Sequence, residues 1–215
     1  MLLALAGVAL SGAESGTVTL KAIPGAMHWT STATSFAVHG DDALEIAAPR
    51  QTDWFNSPFD GGGKDNSPRL LFDADADFVL TAKVTVDFHA PWDAGVLVIQ
   101  ADPKHWAKLC FENSSDNKPT IVSVVTRDAS DDANAFQVDG NSVYLQVARV
   151  GAGLVFYASA DGRAWKIIRV FTIADPSRKL QAGFSSQSPN GEGHRTVFSN
   201  IRYRPQRPVD WWRGE

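Results

Sequence analysis

An all-β fold, a two-sheet antiparallel sandwich of jelly-roll type, is what this sequence predicts, and three observations carry the prediction. Residues 142–171 hold three runs of β-branched and aromatic residues, parted by Gly151-Ala152-Gly153 and by Asp161-Gly162. Asp-Gly between strand-like runs signals a hairpin, because a type I′ turn needs positive φ at both central positions. Residues 78–88 alternate: Phe78, Leu80, Ala82, Val84, Val86 and Phe88 face one way, Thr81, Lys83, Thr85 and Asp87 the other. From Val18 onward, about a dozen strand-like segments follow one another at the turn spacing of a sandwich or barrel.

The remaining strands are expected at 18–23, 36–38, 44–47, 94–100, 106–112, 120–127, 180–187 and 195–204. No Pro/Ser/Gly linker and no internal repeat divides them, so residues 18–204 read as one sandwich. Residues 56–69, with Gly61-Gly62-Gly63 and two prolines, read as a long mobile loop beside the sheet. The tail 205–215 carries Trp211-Trp212 and is either a disordered end or a docked one.

The 215 residues, 44% of them hydrophobic, are ample for a two-layer core. A formal charge of -4 with scattered basic residues argues against nucleic acid as a partner. Cys110 is the only cysteine, so no intrachain disulfide forms, and nothing near it serves as a base for a nucleophile. Residues 1–17 contain an apolar run, Leu2 to Leu10, followed by Ser11-Gly12-Ala13. That is the shape of a signal peptide without its basic start, or else of a short apolar arm. The first reading implies a secreted or periplasmic protein and the second a cytoplasmic one. The run is shorter than the roughly 20 residues that span a bilayer, and no other segment comes close.

One strand departs from simple amphipathicity. In Trp106-Ala-Lys-Leu-Cys-Phe-Glu112, Ala107, Leu109 and Phe111 form a core face, while Trp106, Lys108, Cys110 and Glu112 share the other. An aromatic plate beside a cation and a carboxylate suits a partly desolvated binding face, where a ring stacks on a sugar and charged groups bond its hydroxyls. The plain alternative is a solvated face with a Lys–Glu pair, worth little. Trp54 next to Asp53 adds a second aromatic–carboxylate pair before the Gly-rich segment. Asp93, in the turn before residues 94–100, either points into the same cleft or bonds its own backbone as turn aspartates do.

Taken in order, Thr52-Asp53-Trp54, Asp93-Ala94-Gly95, Trp106 with Lys108 and Glu112, Ser123-Val124-Val125-Thr126 and Ser188-Pro189 through Gly193 resemble one family. It is the "regulation of enolase"-type family of unknown function within the concanavalin A-like lectin/glucanase superfamily, and the resemblance runs over residues 23–203. It implies a concanavalin A-like sandwich whose curved inner sheet forms a groove, with Thr126 among its lining residues; lectin or glucanase activity does not follow from fold kinship. The alternating Glu-x-Asp-x-Glu strand of the superfamily's glucanases, which sets acid and nucleophile on one face, is missing.

Other chemistries find no support. Asp73-Ala-Asp-Ala-Asp77 reads as a turn or at most a weak calcium loop. The five histidines lie far apart without zinc-ligand spacing, and no Gly-x-Ser-x-Gly or phosphate loop occurs. No metal or cofactor is expected. The leading expectation is a carbohydrate-binding module for an oligo- or polysaccharide, with Trp54 and Trp106 as stacking plates, Asp53, Lys108 and Glu112 bonding hydroxyls, and Asp93 and Thr126 in the groove. The enzyme alternative makes Glu112 a general acid with Asp53 or Asp93 as its partner, since a carboxyl walled by indoles holds its proton. A third reading is a protein-interaction domain that docks through Trp211-Trp212.

Overall fold

Alternation decides which side of each strand is dry, and the two large sheets close over the apolar sides. The computed structural model describes residues 8–10, 16–31, 33, 35–173, 175 and 177–215. One eight-stranded sheet runs, edge to edge, β1 (Val8–Leu10), β4 (Ser35–His39), β5 (Ala43–Ala48), β18 (His194–Arg204), β9 (Phe78–Val86), β14 (Ser142–Val150), β15 (Gly153–Ser159) and β16 (Lys166–Phe171). The other runs β13 (Ala129–Gln137), β12 (Pro119–Arg127), β11 (His105–Asn113), β10 (Ala94–Asp102), β17 (Gln181–Gln187), β8 (Arg69–Asp73), β3 (Ala26–Ser31) and β2 (Val18–Thr19). A separate hairpin pairs β6 (Trp54–Asn56) with β7 (Gly63–Asp65). Every strand pair is antiparallel, and the sheets pack as an open sandwich, as predicted. No helix among the described residues is long and apolar enough to cross a membrane.

The core lies where the alternating pattern puts it. Phe78, Leu80, Ala82, Val84 and Val86 of β9 meet Leu97 and Ile99 of β10 and Leu109 and Phe111 of β11. The sheets approach so closely at Gly95 that an added Cβ would stand 2.5 Å from Thr196 Cγ2 and 2.6 Å from Val84 Cγ1. The two free edges on one side are tied together, Arg169 of β16 donating to Asp131 of β13 at 2.8 Å.

Several local expectations change. Residues 56–69 are no loose loop: they hold β7 and run into β8. Asp161-Gly162 is not a two-residue hairpin, because six residues separate β15 from β16 and only Gly162 has positive φ (72°). Asp161 instead caps the turn, and the backbone N–H groups of Ala164 and Arg163 hold its carboxyl down at about 2. Asp75 and Asp77 are likewise engaged, with Tyr203 and with Gly151 and Arg207. Most of residues 1–17, including the cleavage-like Ser11-Gly12-Ala13, lies outside the described residues; Val8–Leu10 pair with β4.

The tail docks on its own domain. Trp211 packs with Trp165 and Ile167 against Val79, Ala148, Val155 and Tyr157 on the outer face of the first sheet. The Tyr157 hydroxyl donates to the Trp211 carbonyl at 2.5 Å, and Gln146 Nε2 to the Gly214 carbonyl at 2.8 Å. Trp211→Ala should therefore cost about 2 kcal/mol and lower Tm by roughly 4–8 °C. An unchanged Tm in a thermal melt would show that the docked tail adds nothing to stability.

Candidate functional site

Strand β11 behaves as its alternation demands, with Ala107, Leu109 and Phe111 in the core and Trp106, Lys108, Cys110 and Glu112 on the outer face. The unforeseen feature is a cover over that outer face. The β6/β7 hairpin lies across it, and Trp54 stacks on Trp106 with ring centroids 3.8 Å apart and planes 16° from parallel. The Arg69 guanidinium sits 4.1 Å from the centre of the Trp54 ring and pairs with Asp65 at 2.6 Å. Leu71, Val96, Val98, Cys110, Val122 and Val124 complete this second apolar cluster. At its far end the hairpin is pinned to the sheet edge, where Asn56 donates to Ser130 Oγ and to the Asp128 carbonyl.

The expected stacking plates are thereby corrected. Trp54 is 2% exposed and Trp106 0% exposed, and each ring is covered by the other rather than offered to a ligand. Thr126 is also fully buried, its hydroxyl bonded to Ser130 Oγ at 2.9 Å beneath the hairpin. The groove expected on the inner sheet is instead a pocket of about 270 Å³ on the outer face of the second sheet. That is near the small end of ligand pockets.

Lys108, Glu112, Val124 and Gln187 form the pocket floor, and Asp53, Phe55 and Lys64 of the hairpin segment form one wall. Lys108 Nζ donates to Gln187 Oε1 at 3.0 Å and lies 3.5 Å from Asp53 Oδ1. Asp53 also accepts the Trp54 N–H at 2.7 Å, which fixes the carboxylate at the hairpin's entry. Glu112 is 8% exposed and has no hydrogen-bond partner among the described residues. Burial pushes its carboxyl up to about 8; Asp132 and Asp53 add to the rise and Lys108 opposes it. Asp132, at the pocket mouth, is raised as well, chiefly by lost hydration. Burial also pushes the Cys110 thiol well up, so it stays an unreactive packing group. Asp53, Lys108 and Glu112, three of the predicted residues, are thus brought together.

Asp93 does not point into the pocket. It is fully buried and accepts the backbone N–H groups of His89 (2.9 Å) and Ala90 (2.8 Å) and the Ser188 hydroxyl (2.6 Å). This is the turn role, extended to a second loop. Gly191 makes the closure possible, since a Cβ there would stand 2.4 Å from Ser188 Oγ and 3.1 Å from Asp93 Oδ1. Between them, these bonds fix the two segments that build the opposite wall, Trp92 and Pro189-Asn190.

Trp92 is a pocket residue that sequence reasoning passed over. It lines the pocket, is 40% exposed and has φ of 67°, rare for a bulky side chain. Its N–H donates to the Asn113 carbonyl at 2.6 Å, which holds the turn against the end of β11. The usable signal was its setting: a Trp between Pro and Asp in a tight turn has no strand face to bury it.

Residues 29–206 match the model of a family described as "Protein of unknown function (DUF1349)". The chain matches none of the curated proteins. Among solved structures it is similar to a functionally unknown protein from Saccharomyces cerevisiae, with TM-score 0.77 and 20% identity over 86% of this chain and 97% of that one. It is similar also to a xylan beta-1,4-xylosidase from Bacillus halodurans, with TM-score 0.59 and 15% identity over 75% of this chain and 32% of that one. The GH43 protein BlXynB of Bacillus licheniformis gives 0.58, 15%, 75% and 32% for the same quantities. The chain spans about a third of the length of these two Bacillus proteins, and at such identities the likeness is one of fold.

Two predictions follow from the buried carboxyls. An acid raised from 4.5 to about 8 holds its proton more tightly when folded, so its stabilising effect is full below pH 4.5 and lost as pH rises through about 8. Against Glu112→Gln, the wild-type chain should therefore lose several kcal/mol between about pH 5 and pH 9. Urea midpoints that run parallel for the two proteins across that range would contradict this. Asp93→Ala strands two part-buried N–H groups and the buried Ser188 hydroxyl and should cost about 2 kcal/mol or more in the same assay; a loss under about 1 kcal/mol would deny Asp93 its tying role.

Proposed function

Because the chain belongs to the DUF1349 family, which is described without any activity, its role must be read from its own pocket, and we propose that it is a carbohydrate-binding domain. One observation carries the reading: an indole held in a strained turn, Trp92, stands at the mouth of a pocket whose floor is the buried polar set Lys108, Glu112 and Gln187. An aromatic rim over convergent polar groups is what sugar recognition uses, since the ring takes the C–H face and the polar groups take hydroxyls. Phe55 and Asp132 extend the two kinds of surface, and Asp53 joins the polar floor. Fold likeness to a xylan-degrading enzyme makes neutral plant-wall glycans the first ligands to try. The concanavalin A-like kinship implied by the motif order belongs to this proposal, as does a secreted or periplasmic location. Nothing in the pocket speaks for an enolase contact.

A second reading has one observation in its favour. A carboxyl pushed up to about 8 and set in a pocket beside Asp53 holds the proton that a general acid would deliver to a glycosidic oxygen. Asp53 would then be its partner. Release of reducing sugar that disappears in Glu112→Gln, with binding retained, would select the enzyme over the binding domain.

The test of the leading reading is titration of xylan and xyloglucan oligosaccharides against the chain, followed by Trp fluorescence. Binding is expected, with Trp92→Ala weaker by at least about fivefold, the worth of one aromatic contact near 1 kcal/mol. Binding indifferent to Trp92→Ala would remove the aromatic rim from the site. Silence across a full glycan panel would end the carbohydrate reading.

A further inference from the structure

We propose that the pocket floor accepts an uncharged sugar residue through its hydroxyls, hydrogen-bonded by Glu112, Lys108, Asp53 and Gln187. The inference rests on the carbohydrate reading above and narrows its ligand class.

Several polar groups of the floor keep unspent hydrogen-bonding capacity. Lys108 has three N–H donors; one goes to Gln187 at 3.0 Å and a second is long, 3.5 Å from Asp53, so the ammonium has capacity left. Asp53 spends Oδ1 on the Trp54 N–H and on Lys108, which leaves Oδ2. Gln187 spends its oxygen on Lys108 and keeps its amide N–H groups. Glu112 spends nothing, although its residue is more than nine-tenths buried. Its carboxyl opens on the pocket, where a ligand can reach it. The floor thus offers donors (Lys108, Gln187) and acceptors (Asp53, Glu112) together. A hydroxyl both donates and accepts, so hydroxyls match the pattern where a group of only one kind does not.

Charge leads to the same class. The groups facing Glu112 are Lys108 and the neutral thiol of Cys110 on its own strand, Asp53 and Lys64 from the hairpin segment, and Asp132 from the edge strand β13. Two cations and two carboxylates balance, so the pocket carries no net charge while Glu112 keeps its proton. A uronate would bring a third charge against Asp53 and Asp132, and an amino sugar one against Lys108 and Lys64. Loss of the Glu112 proton would remove the donor and unbalance the site.

The experiment is calorimetric titration of the chain with three oligosaccharides of equal length, neutral (xylotetraose), anionic (a galacturonic acid tetramer) and cationic (a glucosamine tetramer), at half-unit steps from pH 6 to 9.5. The neutral ligand should bind at least tenfold more tightly than either charged one at pH 6. Its association constant should fall tenfold per pH unit above about pH 8. Glu112→Gln should show a flat profile at whatever affinity it retains. The Glu112 carboxyl resonance, followed by NMR in the wild-type chain, should titrate at higher pH with xylotetraose bound than without. Tight binding of a charged tetramer, or xylotetraose binding that is flat to pH 9.5 in the wild-type chain, would overturn the inference and leave the carbohydrate reading standing. Failure of all three ligands across a wider glycan panel would take both down together.

Discussion

The contact on which the rest of the site depends is the stack of Trp54 on Trp106. Without it, β11 would present Trp106, Lys108, Cys110 and Glu112 to water on an open sheet, beside the valines of β10 and β12. With it, the β6/β7 hairpin is held down across the sheet and the face becomes dry. The stack is worth roughly 0.5–1.5 kcal/mol beyond the area it buries, and the Arg69 guanidinium over the Trp54 ring adds a cation–π contact of similar size. Because Asp53 immediately precedes Trp54, the same contact that covers the sheet delivers a carboxylate beside Lys108. Packing and site assembly are therefore one event.

Drying that face changes what its charges do. A buried ion pair such as Lys108 with Asp53 is weak evidence for stability, since desolvation offsets most of the attraction. The pair is better understood as fixing where the ammonium points, with Gln187 as the second restraint. Glu112 has no such partner, and a lone carboxylate in that place would cost far more than a neutral acid. The chain keeps the acid and gives up its charge at neutral pH. That choice brings a stability that declines with alkalinity, accepted in the same spot where a ligand would meet the proton.

How far the sequence made this legible depends on which faces a strand shows to which neighbours. The core sides of β9 and β11 were readable from alternation alone, because one sheet face is always dry in a sandwich. β8 was not, since Leu70, Leu71 and Phe72 are apolar in succession and buried on both sides, which erases the period. β13 was missed for the opposite reason: Ala129–Gln137 is a polar edge strand with little to bury, and charged edges are how sheets avoid pairing with strangers. Alternation put Lys108 and Glu112 on one face, and Asp53 joined them as the carboxylate of a second Trp–acid pair and through the family resemblance, yet the fate of Trp54 and Trp106 was not legible. Alternation says that a side chain leaves the sheet on its outer face; it cannot say that a segment some fifty residues upstream will cover it.

The same logic separates Trp92 from the six other indoles by what each gains. Left-handed backbone at a bulky residue costs on the order of 1–3 kcal/mol and persists only where surroundings over-determine it. Here they do: Asn113 grips the turn on one side, and Asp93 ties it to Ser188 on the other. Strain of that kind is ordinarily offset by burial, but a side chain 40% exposed recovers only part of its apolar surface. Folding alone thus gives no reason to hold an indole at this position in this conformation. What the turn does achieve is a fixed aromatic edge on the pocket whose floor holds Glu112.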